Sequence, residues 1–249
     1  MEEKLNSGTP VTESDAPVAV LEKTSEKINL NNLDYKKQYS NETYAEYICS
    51  FKRNEKSRLG YRFVKRTVDI IVSLVALIVL SPIFLILAII IKFDSKGPVL
   101  FKQARIGKNG KKFMCYKFRS MKTSAPSNCP TNDIEDLDGQ VTKVGKIIRR
   151  LSADELPQLF CCLIGTMSLI GYRPLIPEET ECNEMREALG VFVMRPGITG
   201  YAQVVGRDDV YYKNKAILDA EYVKNASIVF DIKILFQTIG VVLSHKGAK

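Results

Sequence analysis

The sequence has one histidine, His245, four residues from its end. This excludes most catalytic schemes that set a histidine beside a serine or cysteine, and leaves acid–base work to carboxylates or lysines. Six cysteines occur, at 49, 115, 129, 161, 162 and 182, with no CxxC pair. No cysteine–histidine set has zinc spacing, so they read as reduced thiols of a cytoplasmic compartment. No apolar core follows Met1-Glu2-Glu3-Lys4, so no signal peptide is expected. No internal repeat is found.

What is present is unevenly distributed. The chain has 249 residues, 45% of them hydrophobic, and a formal net charge of +8. A basic balance fits nucleic acid, anionic lipid or phosphorylated substrates without choosing among them. Residues 1–50 carry nine acidic and five basic residues, many Ser, Thr and Asn, and no sustained apolar period. They read as a poorly ordered tail to residue 51, with a short helix near Tyr44–Phe51 as the exception.

A basic segment follows, with Lys52, Arg53, Lys56, Arg58, Arg62, Lys65 and Arg66 against one acid, Glu55. Then Ile70 to Ile91 gives 22 residues without a charge. As a helix that is ~33 Å, enough for a hydrocarbon core of ~30 Å. Ser81-Pro82 lies in its middle, and proline removes a donor and clashes with the carbonyl four residues back, so a break is expected there. Both flanks are rich in lysine and arginine, and such flanks stay on the cytoplasmic side. A re-entrant helix–break–helix satisfies that rule at both ends. A kinked spanning helix violates it at one end and is the alternative.

Further on, Val99 to Phe118 reads as a β-hairpin around Asn109-Gly110, with Phe113–Tyr116 in a strand. Residues 124–139 are turn-rich and acidic, with Asp133, Glu135, Asp136 and Asp138, and read as a solvated loop. In 141–150, Val144, Ile147 and Ile148 recur at helical spacing, continued by Leu151, with Lys143, Lys146, Arg149 and Arg150 on other faces. Such a basic amphipathic helix suits a membrane surface, or equally a soluble core. The remainder reads as mixed helix and loop.

The residues suited to chemistry lie in Ser152-Ala153-Asp154-Glu155. The pattern fits a capping box at a helix start, or, with Pro157 as the first helical residue, a cap at Leu156. Both readings put Asp154 and Glu155 near a helix N-terminus, where partial positive charge favours an ionised carboxylate. Arg149 and Arg150 precede the pair, and Arg173 follows between Gly171 and Pro174. Neighbouring carboxylates with arginines can organise phosphoryl transfer with a divalent metal, or form structural ion pairs.

Several motifs together carry a resemblance. They are Lys65-Arg66-Thr67-Val68-Asp69, Ser81-Pro82, the run from Gly97 to Gly107, and Tyr116-Lys117-Phe118-Arg119-Ser120-Met121. Thr142-Lys143-Val144-Gly145, the stretch Ser152–Leu159 and the stretch Gly165–Pro174 follow. Arg195-Pro196-Gly197-Ile198-Thr199-Gly200 and Gln203-Val204-Val205-Gly206-Arg207 complete the set. In these the chain resembles the monotopic bacterial phosphoglycosyl transferases, from about Lys65 to Ala248. The resemblance implies a helix-rich α+β fold: a re-entrant membrane helix broken at Ser81 and Pro82, interfacial amphipathic helices, and a small β-hairpin around a surface active site.

It also implies localisation at the bacterial cytoplasmic membrane, with the active site facing the cytoplasm, Mg²⁺ as cofactor, and UDP-sugar, polyprenyl phosphate and membrane lipids as partners. No nucleic acid is expected; homo-oligomerisation is left open. The implied reaction moves a sugar-1-phosphate onto polyprenyl phosphate with release of UMP, as the first membrane step of a glycan pathway such as exopolysaccharide synthesis. Asp154 is then nucleophile and metal ligand, and Glu155 its partner. Arg149, Arg173, Lys117 and Arg119 become phosphate contacts, and Arg207 and Gln203 fall on the nucleotide-sugar side. Thr166 departs from the family's frequent Asp, and Gly139-Gln140-Val141 lacks the Asp-Arg common before the threonine. The rival readings are a membrane-anchored nucleotide-sugar hydrolase and a non-catalytic adaptor. Three regions are expected: the tail 1–51, the juxtamembrane and membrane segment 52–96, and a catalytic domain 97–249.

Overall fold

The computed structural model describes residues 28–29, 33–51, 58–127, 129, 134, 136–206 and 210–243. It is helix-rich with two small sheets, matching the α+β expectation.

The apolar block forms two helices, α2 (Leu59–Val79) and α3 (Ser81–Asp94), bent by 60°. The break lies at Leu80, and Pro82 sits in the first turn of α3, where no intrahelical donor is needed. Pro82 leaves the carbonyl of Ile78 without its usual N–H, and the Ser81 hydroxyl donates to it at 2.7 Å. The dipeptide thus creates the bend and repairs its polar cost. Among the described residues no single helix is long and apolar enough to cross a membrane, whereas the bent pair together meets the test of length and composition.

Polar anchors tie this pair to the rest. Asp69, buried on α2, accepts from Ser168 Oγ and from the Leu169 amide, both at 3.0 Å. At the other end Arg119 donates through Nη2 to the carbonyls of Ile91 and Ser95 at 3.0 and 2.6 Å, and to Ser95 Oγ at 3.0 Å. These groups include carbonyls at the end of α3, so a cation there complements the negative end of the helix.

The hairpin forms as expected. Strands β1 (Leu100–Ile106) and β2 (Lys112–Phe118) pair antiparallel from Leu100↔Phe118 to Ile106↔Lys112. Asn109 and Gly110 both take left-handed backbone, with φ of 58° and 69°, which these residue types tolerate. A second sheet escapes the sequence reading: β3 (Ser168–Ile170) pairs parallel with β4 (Gly197–Thr199). A Cβ at Gly171 would stand 2.5 Å from the Arg195 carbonyl, so glycine there permits the close backbone approach.

The acidic loop holds a short helix, α4 (Leu137–Gln140), started by Asp136, whose side chain accepts from Gly139 N. Asp133 and Glu135 lie outside the described residues. Helix α5 (Lys143–Arg150) is capped by Thr142, which accepts from Gly145 N at 2.9 Å. Its apolar face is divided. Ile148 is buried with Ile91 and Phe118, while Ile147 and Leu151 are exposed.

The main core lies between α7 (Thr180–Ala188), α9 (Tyr212–Asn225) and the N-terminal segment. Residues 33–51 of the expected tail are built into this core, and the helix expected near Tyr44–Phe51 is present. Residues 41–50 form α1, and Leu33, Tyr39, Tyr44 and Tyr47 are buried. Asn214 holds the segment from α9: it accepts from Tyr44 Oη at 2.9 Å and donates to the carbonyls of Asp34, Tyr35 and Lys37. The apolar surface comes from irregularly spaced tyrosines, so no period betrays it. Residues 1–27 and 52–57 lie outside the described part.

The C-terminal helix α10 (Ile228–Leu243) exposes Val229, Ile232, Leu235, Phe236 and Ile239. Asp231 on its first turns pairs with Lys65 of α2 at 2.7 Å, which sets α10 beside the apolar helix pair.

Candidate active site

Three elements build the site: the end of β2, the turn Ala153–Glu155 after α5, and the segment after β3. The turn corrects the capping-box expectation. Ser152 is left-handed with φ 55°, makes no side-chain cap, and opens a single 3-10 turn. Helix α6 (Gln158–Ile164) begins only after Pro157. Asp154 and Glu155 therefore sit half-buried on a tight turn rather than capping a helix, and the strained Ser152 conformation aims them.

Lys117 Nζ and Arg173 Nη2 both donate to Oε1 of Glu155, at 2.7 and 3.0 Å. Burial alone would raise the Glu155 pKa, but Arg173 and Lys117 outweigh it and hold the carboxyl well below the usual range. Glu155 is thus a fixed anion. Asp154 differs. Its carboxylate makes no hydrogen bond or ion pair among the described residues. Burial pushes its pKa up, Lys117 opposes this, the Glu155 charge adds to it, and Arg149 and Arg173 oppose it. Adjacent carboxylates with opposite shifts mark a division of labour. Arg149, half-buried at the end of α5, acts on Asp154 by charge alone.

Arg173 is held from behind. The buried Arg186 donates from Nη1 to the Arg173 carbonyl at 2.9 Å and from Nη2 to Asp219 at 2.5 Å. Its guanidinium also lies 5.4 Å from the Tyr172 ring centre. Sequence reasoning missed Arg186, because only the packing of α7 on α9 reveals it. It missed Arg105 too, which donates from Nη1 to the Pro174 carbonyl at 3.2 Å. Burial lowers the Arg105 pKa, and Arg173 lowers it further. Strand alternation was the usable signal: Phe101 pairs Lys117 and Arg105 pairs Phe113, which puts Arg105 and Lys117 on one face.

Other expected site residues are placed elsewhere. Arg119 is 4% exposed and gives its Nη2 to the end of α3, while its Nε and Nη1 have no hydrogen-bond partner among the described residues. Gln203, on α8 (Tyr201–Gly206), donates to the Ile198 carbonyl at 3.1 Å, and no hydrogen bond joins it to the acidic pair. Arg207 lies outside the described residues.

No group of three or more His, Cys, Asp or Glu side chains suited to a metal occurs among the described residues. A magnesium ion needs only one or two carboxylates when substrate phosphates and water complete its shell. The unpaired Asp154 carboxylate meets that demand, while Oε1 of Glu155 is already taken.

A paired anion beside an unpaired carboxylate, with Lys117, Arg149 and Arg173 acting on the pair, is an arrangement chemically suited to phosphate groups. The chain belongs to the bacterial sugar transferase family, whose model matches residues 60–245. It is 41% identical over 210 residues to an uncharacterized sugar transferase of Haemophilus influenzae, covering 78% of this chain and 44% of the relative. It is 40% identical over 212 residues to the undecaprenyl-phosphate galactose phosphotransferase of Salmonella typhimurium, covering 79% and 44%. It is 37% identical over 201 residues to the exopolysaccharide production protein ExoY of Sinorhizobium fredii, covering 74% and 87%. The chain thus spans less than half the length of the first two relatives.

Proposed function

We propose that this protein transfers a sugar-1-phosphate from a UDP-sugar to a polyprenyl phosphate at the cytoplasmic membrane, through a covalent intermediate on Asp154. The observation that carries the reading is the contrast inside the acidic pair: Glu155 is neutralised by Lys117 and Arg173, and Asp154 is left unpaired beside them. The named activity of the Salmonella relative agrees with it.

In the first step a carboxylate oxygen of Asp154 attacks the β-phosphorus of the UDP-sugar. The bond from that phosphorus to the bridging oxygen breaks, and UMP leaves with the electron pair. In the second, an oxygen of the lipid phosphate attacks the same phosphorus and Asp154 leaves as the carboxylate. One difficult transfer becomes two easier ones. Lys117, Arg149 and Arg173 are placed to neutralise charge on the transferring phosphate, and the Glu155 carboxylate fixes the first and last of these. Asp154 would also hold Mg²⁺, which supplies electrostatic stabilisation to phosphate oxygens when bound.

The membrane placement is part of the proposal. Ile71, Val75, Ile78 and Val79 on α2, and Leu85, Ile86 and Phe93 on α3, are exposed, a run of apolar surface of the kind that marks a membrane or partner contact. The 60° bend and the two basic flanks support a re-entrant hairpin with both ends on the cytoplasmic side. The exposed faces of α10 and α5 would then lie in the interface.

Enzyme incubated with UDP-sugar alone should release about one equivalent of UMP and gain the mass of a sugar phosphate, as two-step chemistry requires. Excess chelator should abolish release and Mg²⁺ restore it. Polyprenyl phosphate should then permit continuous turnover. UMP release that continues without lipid favours the hydrolase reading, and no release with any UDP-sugar favours the adaptor.

A further inference from the structure

A small cleft opens beside the first turns of α2. It lies at the far end of α6 from the acidic pair, because Arg66 on its wall donates to the carbonyls of Cys162 and Leu163, at 2.6 and 2.8 Å. Asp154 and Glu155 precede the first residue of this seven-residue helix, so the two places are ~10 Å apart along its axis.

Five of the nine lining residues are cations, Arg62, Lys65, Arg66, Lys108 and Arg195, against one carboxylate, Asp69. That carboxylate is occupied by Ser168 and the Leu169 amide. Lys65 is paired with Asp231. Arg66 spends both terminal nitrogens on α6, and Arg195 gives only Nε, to the Gly165 carbonyl at 2.7 Å. This leaves the Nη groups of Arg195, the guanidinium of Arg62 and the ammonium of Lys108 without a hydrogen bond or ion pair among the described residues. Lys108 is half-buried, and burial, then Arg195 and Arg62, push its pKa down. Cations from three separate elements are thus held against one another with Asp69 as the one carboxylate in the lining, and an added anion would relieve the remaining repulsion.

The rim of the cleft tells which kind of anion. Val193 is exposed at its edge with Met194 beside it, and the uncharged run of α2 begins at Ile70, directly after Asp69. The exposed apolar face of α10 is tied alongside by the Lys65–Asp231 pair. Cations beneath an apolar edge complement a phosphate that carries acyl chains.

We propose that this cleft binds the phosphate of an anionic membrane lipid, with Arg62, Lys108 and Arg195 as donors, as a site separate from the catalytic one. The proposal rests on the membrane placement given above. To test it, the full chain in neutral detergent is titrated with short-chain phosphatidylglycerol, short-chain phosphatidylcholine and inorganic phosphate. Bound lipid is read by native mass spectrometry. The wild type should retain phosphatidylglycerol over phosphatidylcholine. The double variant Arg62→Gln/Lys108→Gln should bind phosphatidylglycerol about tenfold more weakly, as expected for lost charge-assisted bonds, with UMP release in the same detergent unchanged. Equal retention by variant and wild type, or of the two lipids, overturns the proposal. Inorganic phosphate that competes as well as the lipid overturns the lipid assignment. Loss of UMP release in the variant puts the cleft on the substrate path and overturns its separateness. Binding in detergent is read without reference to topology, so a failed membrane placement shows itself in the labelling experiment below and not here.

Discussion

Lys117 Nζ stands 2.7 Å from Oε1 of Glu155 and joins the hairpin to the turn Ala153–Glu155 across 38 residues of sequence. Arg173 shares the same oxygen. The second carboxylate of the turn thus holds both cations by direct contact, close enough to act on Asp154 by charge.

Lys117→Met should leave Glu155 with Arg173 alone and lower UMP release about 10²-fold, the scale of a misplaced catalytic frame. The acid stability of the fold should change as well. The depressed Glu155 pKa contributes stability that is present above its unfolded value of about 4.3 and is lost as pH falls through the folded value. Removing Lys117 raises the folded value, so the loss should be smaller in the variant and complete at higher pH. Acid unfolding followed by circular dichroism would check this, and coincident acid limbs would contradict it.

Asp154→Asn should abolish the mass adduct and the stoichiometric UMP burst while nucleotide still binds. The dipole argument from sequence expects Asp154 to ionise easily, but burial pushes its pKa up. Activity should therefore fall with decreasing pH from above the ordinary aspartate value of about 3.9. A raised carboxyl pKa also means that the ionised form costs stability at neutral pH, a cost that disappears as pH falls through the raised value. The Asn variant should then melt about 2–4 °C higher at pH 7, as catalytic replacements often do. A normal adduct in this variant would remove Asp154 from the nucleophile role.

Single cysteines at Arg58 and Lys96, in a background free of native cysteines, should both react from the cytoplasmic face. Labelling of the Arg58 site only from outside would indicate a spanning helix. Pro82→Leu restores the donor to the Ile78 carbonyl, now served by the Ser81 hydroxyl, and should straighten the pair toward a spanning orientation. An unchanged labelling pattern would mean that the flanking charges dominate.

Arg119→Met should destabilise the fold by about 3 kcal/mol, because it leaves the carbonyls of Ile91 and Ser95 without their donor. The KM for UDP-sugar should stay within about twofold in the folded fraction, since no phosphate contact is lost. A large rise in KM with unchanged melting would return Arg119 to the substrate.

What the sequence determined by itself was local. The uncharged run 70–91 and its Ser81-Pro82 break follow from composition and from one missing N–H, and the hairpin from the left-handed tolerance of Asn109-Gly110. The Asp154–Glu155 pair was visible as adjacent acids between arginines. What only the tertiary structure decided was which distant groups those residues meet. Lys117 reaches Glu155 while Arg119, two residues on, turns to the end of α3, and identical charge at near-identical position carries no sign of that division. The docking of Tyr39, Tyr44 and Tyr47, the three-residue strands β3 and β4, and the grip of Arg186 on Arg173 are likewise invisible to periodicity. Each depends on contacts between segments far apart in the chain, which a pattern of neighbours does not encode.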